Sequence, residues 1–319
     1  MPKVPGLKIL VPKVPGSKTV RQVVHPARSF IPRAQRDGTG LDLILVPKVL
    51  GLEAVMCSRS KGGYNGKGVS SILNNRICNS SPQTASLKNV IGSIKMVPKI
   101  YPIHLGLDQC YLIKEEGTVL IDGGAPGKVS DFSQKIEALS IDPEEVALII
   151  LTHGHWDHIG SAKEIKEITG ARIAMHQNDM ESLEKGIKSN PPGATAWGKI
   201  VIRAVQITMP LIKIPSTSVD IVVGDEGLSL HEYGIRGEVI HTPGHSPGSI
   251  SLLLETGDVF VGDLAMNMFP LRLTPGLPIF AEDMQQVKES WKLLLDKGAK
   301  TVYPAHGKPF TAEVIRSVL

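Results

Sequence analysis

The run Thr152-His153-Gly154-His155-Trp156-Asp157-His158 constrains this chain more than any other stretch. Three imidazoles and a carboxylate fall within six residues, in a chain with only ten histidines among its 319 residues. An apolar core has no use for such a cluster, because every buried polar ring needs its own partner. Neutral imidazole and carboxylate are standard ligands for a divalent metal such as zinc. The flanks say where the run sits. Val146 to Leu151 is a short apolar stretch rich in branched residues, which predicts a buried strand. From Ser161 to Thr169, apolar Ala162, Ile165 and Ile168 recur at helical spacing, and Gly170 supplies a stop. The cluster is therefore expected on a strand-to-helix loop, held by rigid elements and open to solvent.

In an extended loop alternate side chains point the same way. His153 and His155 are then expected to grip one metal, with Asp157 and His158 facing a second. A tetrahedral site takes four ligands, or three and a reactive water, so two metals need donors from elsewhere. Three further strand-like stretches provide them. Gly237 to Ile240 leads into His241-Thr242-Pro243-Gly244-His245, where Pro and Gly set a tight turn. Val259 to Gly262 ends in Asp263, and Thr301 to Ala305 ends in His306. Candidate ligands repeated at strand ends are a stronger signal than any single motif.

The HxHxDH pattern at 153–158, Pro-Gly-His at 243–245, Gly-Asp at 262–263 and His-Gly at 306–307 resemble the motifs of the metallo-β-lactamase-fold hydrolases, as does Leu120-Ile121-Asp122-Gly123-Gly124 ahead of them. The resemblance runs from about residue 94 to the end. It implies an α/β fold: an αββα four-layer sandwich of two mixed β-sheets packed face to face, with helices outside and metals at one sheet edge. By position, it implies that His153, His155 and His245 hold a first metal. Asp157, His158 and His306 would hold a second, and Asp263 would bridge both. Asp122 would orient a ligand by hydrogen bonding. His241 is expected to support or pack, and His104, His176, His231 and His25 to be structural.

That ligand set predicts hydrolysis. Two divalent cations, zinc first and iron or manganese as alternatives, are expected to hold a hydroxide between them, since each lowers the pKa of bound water toward about 7. Asp157 is the expected catalytic carboxylate, orienting the nucleophile and passing its proton onward. The expected substrate is a small-molecule ester, thioester or lactone. Departures from related groups narrow the field. The three cysteines, Cys57, Cys78 and Cys110, all precede the histidine run, so none stands where a zinc β-lactamase of the best-known type has its cysteine. The 13 residues after His306 are too few for the helical domain with which glyoxalase II grips glutathione. Leu264-Ala265-Met266-Asn267 lacks the tyrosine of acyl-homoserine lactonases and the basic run of persulfide dioxygenases. The expectation is thus a glyoxalase-II-like hydrolase. The alternatives are a mononuclear iron oxygenase on the same scaffold, or a nuclease that uses the basic leader. Met266, Met268, Phe269, Leu271, Leu273 and Pro275 could line an apolar wall, and Ala194 to Ile214 is a candidate cap helix.

Residues 1–92 differ in kind. They hold 14 of the 35 basic residues and 3 of the 31 acidic ones, leaving 21 and 28 for the remainder, so a net +4 hides two opposed halves. Pro2-Lys3-Val4-Pro5-Gly6 recurs at 12–16 and is echoed at 47–51, too briefly for a solenoid. Weak periodicity with frequent Gly, Ser, Asn and Pro predicts a low-order leader over 1–92, ahead of one catalytic domain over 93–319. A basic tail, an organellar transit segment or a start at Met96 would each account for it. No apolar run suits a signal peptide or membrane span. An odd cysteine count predicts no disulfide framework and fits a reducing cytoplasm. An aromatic content of 4% disfavours a stacking platform for single-stranded nucleic acid.

Overall fold

The computed structural model describes residues 97–319 in full and, ahead of them, the backbone of 41–48 and 51–58. The chain divides into two units, 1–83 and 84–319. In the first, β1 (Leu41–Lys48) and β2 (Gly51–Ser58) pair antiparallel, with Lys48 opposite Gly51. The low order expected of residues 1–92 thus meets a hairpin at 41–58. The rest of that stretch, and the candidate start at Met96, lie outside the described residues.

The second unit holds two mixed six-stranded sheets. One runs β3 (Lys99–His104), β4 (Gln109–Lys114), β5 (Thr118–Ile121), β6 (Val146–Ile150), β7 (Arg172–His176) and β8 (Ile221–Val223), antiparallel as far as β5 and parallel from there. The other is drawn from β9 (Leu228–Ser229), β10 (Gly237–His241), β11 (Ile250–Leu254), β12 (Asp258–Phe260), β14 (Thr301–Tyr303) and β16 (Phe310–Thr311), in the order β16-β14-β12-β11-β10-β9. Its strands are antiparallel except for the parallel pair β12 and β14. A short parallel pair, β13 (Met266–Asn267) and β15 (His306–Gly307), stands apart.

Period-two alternation sorts the strand residues into layers. Tyr111, Ile113, Val119, Ile121, Leu148 and Ile150 face the second sheet, where they meet Val239, Leu252, Leu254 and Phe260. Their neighbours Cys110, Leu112, Leu120 and Ile149 face outward, onto Phe132 and Ile136 of α1 (Val129–Ala138). After α2 (Trp156–Ile159), α3 (Ala162–Thr169) packs on that same outer face through Ala162 and Ile165. Strands buried on both faces need to be apolar throughout, which is why Val146 to Ile150 carries no polar alternation. Helix α4 (Met180–Glu184) and α5 (Ala196–Thr208) follow β7. Val287, Trp291 and Leu294 of α6 (Met284–Asp296) cover the outer face of the second sheet against Val259, Leu253 and Val302. The result is the four-layer αββα sandwich. Among the described residues, no helix is long and apolar enough to cross a membrane.

Three local expectations change. The histidine run is extended only to His155, which caps α2; His158 N and Ile159 N both donate to His155 O, so Asp157 and His158 sit on a helical turn. Residues 259–263 are not one strand, because β12 ends at Phe260 and Gly262 takes a left-handed φ of 51°. Ile168 is 40% exposed, and α3 buries Ala162, Ile165 and Thr169 instead. Its predicted stop holds: Gly170 closes α3 at φ 69°.

Trp291 anchors the layer beneath the second sheet. It is fully buried, and its Nε1 donates to Leu264 O at 2.9 Å, one residue past Asp263. Trp291→Ala should lower stability by about 3–5 kcal/mol in denaturant unfolding, through cavity formation and an unpaired carbonyl.

Candidate metal centre

The two sheets are stitched together where their ligand-bearing strands end. Ile250 N donates to Thr152 O at 2.8 Å, and Gln109 N to Ala305 O at 2.8 Å. Asp122, just past β5, holds a left-handed φ of 61°, an uncommon conformation for a residue with a side chain. Its carboxylate accepts hydrogen bonds from Thr152 N (2.8 Å) and Thr152 Oγ1 (2.9–3.0 Å), and its Oδ2 lies 2.9 Å from His158 Nδ1. Thr152 Oγ1 in turn sits 3.1 Å from His153 Nδ1. Because that hydroxyl already donates to Asp122, it accepts the His153 Nδ1 proton. One carboxylate therefore sets the tautomer of two imidazoles and leaves each Nε2 a lone pair.

The third imidazole is set by the backbone. His245 Nδ1 lies 3.0 Å from Phe280 O, which can only accept, so its Nε2 also carries a lone pair. That nitrogen is 3.0 Å from His155 Nδ1. Gly244 makes the turn possible: its φ is 132°, and a Cβ there would lie 2.4 Å from Val287 N. Gly262 is equally constrained, since a Cβ would meet Thr152 Oγ1 at 2.4 Å.

Asp263 faces the whole group. Its oxygens lie 3.3 Å from His306 Nε2, 3.5 Å from His158 Nε2 and 3.7 Å from His245 Nε2. His306 Nε2 is also 3.7 Å from Asp157 Oδ2. The donor atoms of His153, His155 and His245 cluster within 4.8 Å of one another, as do those of His153, His158 and Asp263, and those of Asp157, His158 and His306 with Asp108. All seven residues singled out in the sequence converge here. His153 Nε2, His158 Nε2 and Asp263 Oδ1 are buried without a hydrogen-bond partner. Lone pairs buried together without donors are what metal ligands look like before a cation is placed among them. These groups make a dinuclear metal-binding site, and the donor set fits two divalent ions.

The electrostatics agree with that fit. Burial, reinforced by neighbouring imidazoles, holds His153 and His155 well below the usual histidine range, in the neutral form that ligation requires. Burial likewise lowers His245, although Asp263 opposes it. Burial would also lower His306, but the carboxylates of Asp263 and Asp108 outweigh it and push the ring up to about 10. His158 is raised in the same way, by Asp122 and Asp263 against burial. Burial raises Asp263, yet the facing rings of His306 and His158 hold it far below the ordinary carboxylate range.

A second histidine group lies outside this centre. His176 Nε2 and His241 Nδ1 both approach Asp225 Oδ1, at 3.2 and 3.1 Å. The two rings are stacked at 3.9 Å and 12°, and their polar atoms and those of Asp225 lie within 4.8 Å of one another. His241 Nε2 donates to Pro247 O at 2.9 Å, beside the His245 loop. A half-open cleft of about 670 Å³ along β9 to β11, bordered by Glu226, Glu238 and Lys297, shares no residue with the metal centre.

Two contributors were not foreseen from the sequence. Asp179 Oδ2 accepts from Gly154 N (2.9 Å) and Ser246 Oγ (2.6 Å), and its Oδ1 from Gly248 N (2.9 Å), tying the loop of His153 and His155 to the loop of His245. Asp108 lies against His306. Neither belongs to a local pattern, so only the packing reveals them.

A family model described as the Metallo-beta-lactamase superfamily matches residues 106–306. The chain belongs to that superfamily. Among curated members, it is 26% identical to the probable metallo-hydrolase YflN of Bacillus subtilis over 73% of this chain and 89% of YflN. It is 30% identical to hydroxyacylglutathione hydrolase GloC of Haemophilus influenzae, over 54% of this chain and 76% of GloC. The probable metallo-hydrolase YqgX of Bacillus subtilis is 28% identical over 48% of this chain, a match that spans 64% of YqgX. In structure, the fold is similar to ST1585 of Sulfolobus tokodaii, with a TM-score of 0.51 at 24% identity, covering 70% of this chain and 85% of that one. With the superfamily scaffold and a dinuclear centre together, the protein is a metal-dependent hydrolase.

Asp179 gives the centre's assembly a direct check. Asp179→Ala strands three donors in a buried setting and should cost about 3 kcal/mol in urea unfolding of the chelator-treated protein. An unchanged midpoint would mean that the two loops do not depend on this carboxylate.

Proposed function

We propose that the protein hydrolyses a small ester, thioester or lactone with two zinc ions, His153, His155 and His245 holding the first and Asp157, His158 and His306 the second, with Asp263 between them. The observation that carries this reading is the convergence of outwardly anchored imidazoles and Asp263 on one buried point. When bound, such ions supply Lewis acidity to a carbonyl oxygen and lower the pKa of water toward about 7.

The chain's own residues do the rest. Asp122, Thr152 and the Phe280 carbonyl anchor the Nδ1 side of His158, His153 and His245 and aim each Nε2 inward. Asp263 is central to the donors and stays ionised, so it can hold both positions together. Asp157 is the most solvent-open carboxylate of the set, with 17% side-chain exposure. It is therefore placed to orient a water and carry a proton outward, the part of a general acid–base.

An apolar cap favours an acyl substrate over a charged polymer. Val201 and Ile202 of α5 pack on Met266, Ile279 and Phe280, and Phe280 also receives the His245 hydrogen bond. Trp197 Nε1 donates to Pro270 O at 3.0 Å, joining α5 to the loop after Asp263. Phe269 and Leu273 on that loop are exposed and available to an apolar tail. The relative named for hydroxyacylglutathione, an acyl thioester, favours a thioester among the three substrate classes.

Elemental analysis of the purified protein should find close to two zinc ions per chain, with hydrolysis of acyl thioesters or lactones. One iron per chain and oxygen-dependent turnover would replace this reading with oxygen chemistry. Asp263→Ala should lower kcat/KM by more than about 100-fold, whereas His241→Ala should cost less than about 10-fold. Equal losses would remove Asp263 from its assigned place.

A further inference from the structure

Asp108 is the one carboxylate at the centre that the ligand assignment leaves without work. It is fully buried in the turn before β4, where Leu105 N donates to its carbonyl at 3.1 Å. Neither of its carboxylate oxygens has a hydrogen-bond donor in ordinary geometry. A buried carboxylate in that state is costly unless another group uses its charge. Its nearest polar neighbour is His306, with Oδ1 3.2 Å from Nδ1. The backbone fixes that approach, because Gln109 N donates to Ala305 O at 2.8 Å, joining the residues next to each.

The His306 ring thus stands between two sets of carboxylates. Its Nε2 faces Asp263 and Asp157, and its Nδ1 faces Asp108. A carboxylate also stands behind His158, where Asp122 Oδ2 is hydrogen-bonded to Nδ1 at 2.9 Å. The rings of the first position are backed differently: His153 by the Thr152 hydroxyl and His245 by the Phe280 carbonyl, both neutral.

We propose that Asp108 is a positioning residue for the second metal position: its carboxylate accepts the Nδ1 proton of His306 and holds the ring with Nε2 turned toward Asp263 and Asp157. This role rests on the dinuclear reading above and goes beyond it. A carboxylate behind a ligating imidazole fixes its tautomer and raises its basicity, and losing such a partner weakens metal binding by about 10–100-fold.

The test is a Co²⁺ titration with chelator competition on the full chain, wild type beside Asp108→Asn, followed by d–d absorption and by melting of the metal-free protein. Wild type should bind two ions. Asp108→Asn should bind the second about 10–100-fold more weakly, leave the first unchanged, and keep the coordination spectrum of the second once saturated. Melting of the metal-free proteins checks that the variant is folded, so that a weaker second site is not read from an unfolded chain, and a purely structural residue would lower the melting temperature and weaken both sites together. Asp108→Ser provides the same readings if the amide variant does not fold. Unchanged affinity for the second ion, or equal weakening of both, would overturn the role. A saturated spectrum showing one ligand fewer would make Asp108 a direct ligand instead. A wild-type protein that binds a single ion would defeat the dinuclear reading, and with it the second position that Asp108 serves.

Discussion

The centre depends on one constraint: each imidazole that presents Nε2 inward must bury its Nδ1 proton against an acceptor behind it. A histidine without that acceptor is free to swap tautomers or rotate, and its lone pair is lost to the site. The fold meets the demand with few groups. Asp122 serves His158 directly and His153 through Thr152, while also accepting the Thr152 amide. So much hangs on this carboxylate that the chain holds a non-glycine residue at φ 61° to place it. Backbone strain at a site of this kind is sustained by the interactions around it.

The sandwich brings these acceptors within reach. Asp122 and the histidine run follow neighbouring parallel strands, β5 and β6, of the first sheet, whereas His245 and Asp263 lie past β10 and β12 of the second. Only a face-to-face packing with both sets of ends at one edge makes them neighbours. The apolar layer between the sheets therefore has a functional consequence. Phe260 and Ile150 end strands in that layer, and the donors Asp263 and His153 each follow three residues beyond them. Gly262 lets the second sheet's strand end press against Thr152, where any side chain would collide.

What the sequence revealed, and what it hid, follows from range. Strand-end ligands were legible because an apolar run stopping at His or Asp is a local pattern, repeated after β6, β12 and β14. The α3 helix was legible from its spacing and its Gly170 stop. The helical turn at Trp156 was not, because four residues are too few for a period to show; the turn is closed by bonds to His155 O within the site. Ile168 fits a helical stripe by spacing, yet the surface it faces leaves it half in solvent, and no local rule reports what an element packs against. Asp108 and Asp179 were hidden for the strongest reason. Their partners lie 198 and 67 residues away, at His306 and Ser246, and each looks like an ordinary turn aspartate in the chain.

The backing groups also give the two halves of the proposed ligand set unequal surroundings. Around His153, His155 and His245 the supporting partners are a hydroxyl and a carbonyl. Around His158 and His306 they are carboxylates, with Asp157 and Asp263 adding charge on the other side. The same imbalance raises the rings of His306 and His158, while those of His153, His155 and His245 are lowered. The asymmetry comes from residues behind the imidazoles, so two groups of nearly the same donor types sit in different electrostatic surroundings.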